Sequence, residues 1–145
     1  MRVYLDMCCY NRPYDDQSEA RISLETKAKL KIQDLIRKSA LDLVDSYMLR
    51  YECEQNPFAS RRTAIFKYID AYASLYVGLK NSASIEEDAK TIMDAGIKYK
   101  DACHVACAIY ADCDYLITTD KRLLKYKSDK INVISPIDFL KTLEV

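Results

Sequence analysis

The chain has 145 residues, 50% hydrophobic and 30% charged, with 22 basic and 22 acidic side chains and a formal net charge of zero. That size suits a single domain over residues 1–145 that buries its own core, and two glycines with three prolines leave little room for long linkers or disorder. Neutrality excludes whole-molecule attraction to nucleic acid, so any such binding must be local.

In chain order, Arg2 to Leu5 is a short β-favouring run that stops on Asp6, and Asn11-Arg12-Pro13-Tyr14-Asp15-Asp16 carries the turn formers of a loop. From Ser18 to about Lys38, Ile22, Leu24, Ala28, Leu30, Ile32, Leu35 and Ile36 recur broadly at helical spacing. Leu41 to Asp45 alternates like a strand, and Ser46 can cap a helix from Tyr47 to Gln55. Ala59 to Ala71 reads as another helix and Ser74 to Val77 as a third strand. Ser84, with Glu87 three residues on, has the pattern of a capping box opening the next helix. The segment from Asp101 to Ala111 is almost wholly apolar after its first residue, which describes a helix buried nearly all round. Tyr115 to Thr118 is a fourth strand and Lys121 to Tyr126 a short helix. Ile131 to Ile134 is a fifth strand, and Pro136 to Leu143 closes the chain as a helix with proline at its start.

Strand alternating with helix argues for an α/β domain whose parallel strands are covered on both faces. In such sheets ligands gather outside the carboxyl ends of the strands. Asp6 and Asp120 each stand where an apolar strand stops, Glu52 lies on the helix after the second strand, and Asp101 heads the buried helix. Sharing one rim, these four carboxylates would repel one another, and a hard divalent cation is the natural compensating charge. Each also has a plainer reading: Asp6 as a turn cap, Asp120 as the N-cap of its helix, Glu52 as a surface glutamate, and Asp101 as a partner for the helix dipole. Lys121, Arg122, Lys125, Lys127 and Lys130 follow Asp120 and offer either a local path for a phosphate backbone or a solvated helix face.

Other chemistries find less support. The six cysteines lie mostly in apolar segments and read as reduced, buried thiols. Cys103 and Cys107 with His104 fall short of a zinc set, and Cys8-Cys9 beside an acid is poorly placed for a thiolate. His104 reads as a core or helix-face residue rather than a general base. With only Gly78 and Gly96 there is no glycine-rich phosphate loop. No apolar run is long enough to span a membrane, and the opening Met-Arg-Val-Tyr-Leu-Asp reads as a strand rather than a signal peptide, so the expected location is cytoplasmic.

The run VYLD ending on Asp6, the spacing from Ser46 to Glu52, DACHVACA beginning at Asp101, and LITTD ending at Asp120 together resemble the PIN-domain nucleases, over essentially the whole chain. The resemblance implies a three-layer α/β/α sandwich around a mainly parallel five-stranded sheet, and a pocket that binds Mg2+ or Mn2+ and hydrolyses phosphodiester bonds, usually in RNA. It implies Asp6, Glu52, Asp101 and Asp120 as metal ligands, directly or through water, with Thr118 as a supporting polar residue. The expected function is a metal-dependent endoribonuclease, with an antitoxin protein and a second copy in a homodimer as partners. The alternatives are a non-catalytic RNA- or protein-binding domain and a structure-specific DNA nuclease. Two positions depart from the family pattern: Cys8 stands where an Asn or Ser is usual, and Leu123 where another acid is often found. The first predicts weaker hydrogen bonding around Asp6, and the second a weaker hold on a second ion. Arg12 could touch a substrate phosphate or pair with Asp15 or Asp16, and Lys121 and Arg122 are the nearest cations to Asp120.

Overall fold

A computed structural model describes residues 1–144. Five strands, β1 (Arg2–Leu5), β2 (Asp42–Ser46), β3 (Ala73–Val77), β4 (Tyr115–Ile117) and β5 (Asn132–Ile134), form one sheet in the order β3-β2-β1-β4-β5. Every pairing is parallel, with Tyr4 opposite both Val44 and Leu116. The chain fills one half of the sheet first and then returns to the other side of β1. The order therefore reverses between β1 and β4, which is where such sheets open a crevice at their carboxyl ends.

Eight helices accompany the strands among the described residues: α1 (Met7–Asn11), α2 (Ala20–Arg37), α3 (Tyr47–Glu54), α4 (Ala59–Tyr72), α5 (Ser82–Met93), α6 (Tyr99–Tyr110), α7 (Lys121–Leu124) and α8 (Pro136–Leu143). Strand alternation divides them between the two faces of the sheet. Tyr4 meets His104 of α6 with ring centroids 5.5 Å apart. Tyr115, in register with Val3, packs edge-on against Phe139 of α8 at 5.2 Å. The result is the three-layer α/β/α arrangement expected from the sequence. β1 and most of β2 are buried, as strands covered on both faces must be. No helix among the described residues is long and apolar enough to cross a membrane.

α6 is buried continuously from Ala102 to Ala108, as its apolar sequence predicts. It does not begin at Asp101, however. Helical geometry starts at Tyr99 after Lys98, and Asp101 sits in the first turn, where a carboxylate faces the positive end of the helix dipole. The turn expected to begin at Asn11 is a 3₁₀ turn over Arg12–Tyr14, and the five residues before it form α1, started by the Asp6 side chain accepting from the Met7 amide. The capping box at Ser84 is not formed. A 3₁₀ turn over Leu79–Asn81 runs straight into α5, so helical geometry is established before Ser84, and Asn81 makes no side-chain cap. α2 likewise starts at Ala20 rather than Ser18, and α7 ends at Leu124.

The scarcity of glycine is visible at two helix ends. Ser39 after α2 and Asp112 after α6 adopt φ of 63° and 56°, left-handed values usually given to glycine or asparagine. Each lets the next amide turn back, Ala40 to the Leu35 carbonyl at 2.9 Å and Cys113 to the Ala108 carbonyl at 3.0 Å.

Candidate functional site

Tyr4 on β1 and Asp6, the extended residue just beyond its end, are two residues apart, so both side chains leave on the α6 side. Asp6 is almost fully buried. Its Oδ1 accepts from the Met7 amide at 2.8 Å, and its Oδ2 accepts from the Thr118 hydroxyl at 2.8 Å. Thr118, one residue beyond β4, in turn accepts from the Asp120 amide at 3.1 Å. One buried hydroxyl thereby ties the ends of the two strands that flank the crevice. Cys8 joins them: its thiol lies 3.3 Å from both Asp6 Oδ2 and Thr118 Oγ1, and its sulfur receives the Thr119 amide at 3.4 Å. The hydrogen bonding expected to weaken at Cys8 is therefore present in the form a thiol can make.

Glu52 reaches the same rim from α3. Ser46 ends β2 and caps α3 by accepting from the Leu49 amide at 3.1 Å, which fixes the helix start at the strand end. Glu52 Oε1 lies 2.5 Å from His104 Nε2, and that nitrogen lies 3.8 Å from Asp6 Oδ1. The other imidazole nitrogen, Nδ1, meets the Tyr4 hydroxyl at 2.5 Å, and Tyr4 meets Ser46 Oγ at 2.7 Å. His104 is completely buried. Burial alone would lower its pKa, but the Glu52 hydrogen bond and the charges of Asp6, Glu52 and Asp101 outweigh it and raise the pKa. For Glu52, burial pulls upward, and the His104 bond and charge carry the net shift below the usual value.

Asp101 and Asp120 line a cavity of about 250 Å³, with Lys98, Lys121 and Arg122 also on its wall. The carboxyl group of Asp101 is pushed up to about 6, first by burial and then by the charges of Asp6 and Asp120, with a smaller push from Glu52. The four acids predicted from the sequence thus share one electrostatic field. Asp120 also performs its plainer role, accepting from the Arg122 and Leu123 amides at 2.8 and 3.2 Å through Oδ1 alone.

No family model matches the sequence, and no curated protein does. Solved structures match across nearly the whole chain. FitAcB from Neisseria gonorrhoeae is similar with a TM-score of 0.59 and 13% identity, covering 92% of this chain and 97% of that one. FitAB bound to an IR36 DNA fragment is similar with a TM-score of 0.54 and 16% identity, covering 93% and 95%. The fold is PIN-like. At such identities the likeness concerns the path of the backbone, and the chemistry of this PIN-like domain has to be read from its own residues.

Those residues present a donor set of carboxylates, which suits Mg2+ or Mn2+ better than softer metals. Burial first, and then repulsion from Asp6, Asp120 and Glu52, raise the pKa of Asp101, and a cation would relieve the repulsion. The side chains have not closed into a shell: among the described residues, no three His, Cys, Asp or Glu groups stand in metal-binding geometry. The donor chemistry fits a divalent ion, and side-chain movement would be needed to gather the oxygens.

The remaining predicted residues divide in two. Lys121, Arg122, Lys125, Lys127 and Lys130 are all exposed, and none forms an ion pair among the described residues. Arg12 is committed elsewhere, donating to Asp15 at 2.8 Å and to the buried Glu25 at 3.0 Å. Leu123, where an acid was the alternative, is fully buried in the core. Sequence reasoning gave Ser46 its cap, but missed the parts that His104 and Tyr4 play and the bond of Tyr4 to Ser46. A signal was present: these residues are among the few polar groups in otherwise apolar runs, and His104 lies three residues, nearly one helical turn, after Asp101.

Proposed function

We propose that this PIN-like domain is a Mg2+- or Mn2+-dependent endoribonuclease, with Asp6, Glu52, Asp101 and Asp120 holding the ion directly or through water. The observation that carries this reading is the placing of Asp6 and Glu52 about His104 and of Asp101 and Asp120 on one cavity, with no arginine or lysine ion-paired to any of them among the described residues; burial and the neighbouring acids raise the Asp101 pKa accordingly. A divalent ion held there would acidify a water and offset charge developing on a phosphodiester.

The chain's own residues supply the positioning. Thr118 and the Met7 amide fix Asp6. His104 fixes one oxygen of Glu52. Lys98, Lys121 and Arg122 border the cavity shared by Asp101 and Asp120, where they can attract the phosphates on either side of the bond to be cut. Because the chain is neutral overall, this attraction is local, and cleavage should weaken steeply as salt rises.

Asp6→Asn and Asp101→Asn are expected to abolish divalent-dependent cleavage of single-stranded RNA while leaving the circular dichroism spectrum unchanged. Parent-like cutting by both variants under metal-controlled conditions would sink the mechanism. Binding of RNA without turnover in Mg2+ or Mn2+ would instead favour a non-catalytic domain. The DNA in the FitAB structure makes branched and single-stranded DNA necessary comparison substrates. An antitoxin protein and a second copy of the chain belong to the same proposal, and co-expression with the adjacent reading frame followed by size-exclusion chromatography tests both.

A further inference from the structure

His104 is the sole histidine of the chain, and it is fully buried with both ring nitrogens engaged. The hydrogen bonds around it can be followed donor by donor. The Leu49 amide donates to Ser46 Oγ. With a neutral ring, Ser46 donates to Tyr4, Tyr4 donates to Nδ1, and the single ring proton on Nε2 donates to Glu52. With a charged ring, the bonds through Nδ1 and Tyr4 reverse, and Nε2 still donates to Glu52. A bare Nε2 would set its lone pair 2.5 Å from a carboxylate oxygen, so both allowed states place a proton between them.

A buried histidine can be satisfied by any acceptor, a backbone carbonyl included. This one ends on a carboxylate whose side chain is still 22% exposed at the rim. Among the described residues Glu52 Oε2 makes no hydrogen bond, so one oxygen is held and the other is free.

We infer that His104 is a positioning residue for Glu52: anchored through Tyr4 and Ser46 to the start of α3, it holds Oε1 and leaves Oε2 as the one oxygen offered to a cation. This rests on the metal reading proposed above and adds a consequence for it. Glu52 ligates through one oxygen, as small octahedral ions such as Mg2+ and Mn2+ accept, whereas Ca2+ often takes a carboxylate through both. Partners that orient a metal ligand typically change affinity by about 10- to 100-fold when removed.

Because there is one histidine, 15N-histidine labelling gives one set of ring signals. The metal-free parent is expected to show an exchange-protected Nε2 proton that is lost in Glu52→Ala; a signal indifferent to that change overturns the inference. In Mn2+ titrations followed by electron paramagnetic resonance, His104→Leu is expected to bind about 10-fold more weakly. His104→Gln, whose amide can donate to Glu52, is expected to recover most of that loss. A folded His104→Leu variant with parental affinity, or a His104→Gln variant no better than it, overturns the inference. If His104→Leu fails to fold, Tyr4→Phe carries the test: it deletes only the hydroxyl at Nδ1, should move the ring signals and weaken Mn2+ binding, and overturns the inference if it does neither. A parent that shows the Glu52-coupled proton and takes up no Mn2+ would leave the Glu52 clamp standing and defeat the metal function, so the two failures are distinguishable.

Discussion

Carboxylates are buried at two kinds of place in this molecule, and they are treated differently. Glu25 on α2 is fully buried, with Arg12 at 3.0 Å and Arg21 at 3.6 Å, and Asp45 at the end of β2 is buried against Arg50 at 2.8 Å. Asp6, Glu52, Asp101 and Asp120 at the crevice have no arginine or lysine within ion-pairing distance among the described residues, and the imidazole of His104 stands beside Asp6 and Glu52. Glu25 and Asp45 each have a cation of the fold's own beside them; the acids at the crevice do not, and that difference separates a structural ion pair from the site proposed above to receive an ion.

The largest expected effect breaks the first half of that contrast. Arg12→Met strands Glu25, whose Oε2 already lacks a partner, and should destabilise the fold by about 3–5 kcal/mol, the usual cost of uncoupling a buried pair. Urea denaturation would measure it, and a loss under about 1 kcal/mol would mean Arg21 alone suffices. The mirror-image case comes next. Lys29 is a buried cation with no carboxylate in range among the described residues, lying 5.7 Å from the centre of the Tyr10 ring, and burial lowers its pKa from 10.5 to about 8. The folded state releases this proton near pH 8 and the unfolded state near 10.5, so between them the unfolded chain holds more protons and stability rises with pH. Below pH 8 the whole penalty remains, at most about 3 kcal/mol. Lys29→Met should therefore be more stable than the parent at pH 7, with the advantage shrinking through pH 8–10.5; an advantage independent of pH would assign it to packing instead.

The two kinds of site were unequally legible in the sequence. Apolar runs ending on acids marked β1 and β4, and their order implied the parallel sheet and the rim. Strand ends are encoded locally, by where hydrophobicity stops. Partners are not. Arg12 had two acids close by in sequence, yet its buried partner is Glu25, thirteen residues on across a turn. His104 was legible as a buried helix residue, but its bond to Glu52 spans 52 positions and exists only because α3 and α6 meet. α1 was hidden because five residues are too few for helical periodicity to register, and their apolar character continued that of β1.

A smaller effect tests the second half of the contrast. Without divalent ions, Asp101→Asn removes a carboxylate whose ionised form is disfavoured by burial and by its neighbours. It should raise stability at pH 7 by about 1 kcal/mol, less than the pKa of about 6 would give in full because the group is partly exposed and screened. Mg2+ should reverse the ranking, since ion binding stabilises only a protein that can bind it. Thermal melts of both proteins with and without Mg2+ read this directly. A parent that gains nothing from Mg2+ or Mn2+ would place the rim with the structural acids after all.

The smallest effect separates the two roles of Asp120. Oδ1 caps α7, and no hydrogen bond to Oδ2 occurs among the described residues. Asparagine caps a helix as well as aspartate does, whereas alanine removes the cap at about 1 kcal/mol. Asp120→Asn should therefore keep parental stability while losing Mn2+ affinity, and Asp120→Ala should lose both. If Asp120→Asn binds Mn2+ like the parent, the residue is a cap only, and the rim is reduced to the three carboxylates around His104.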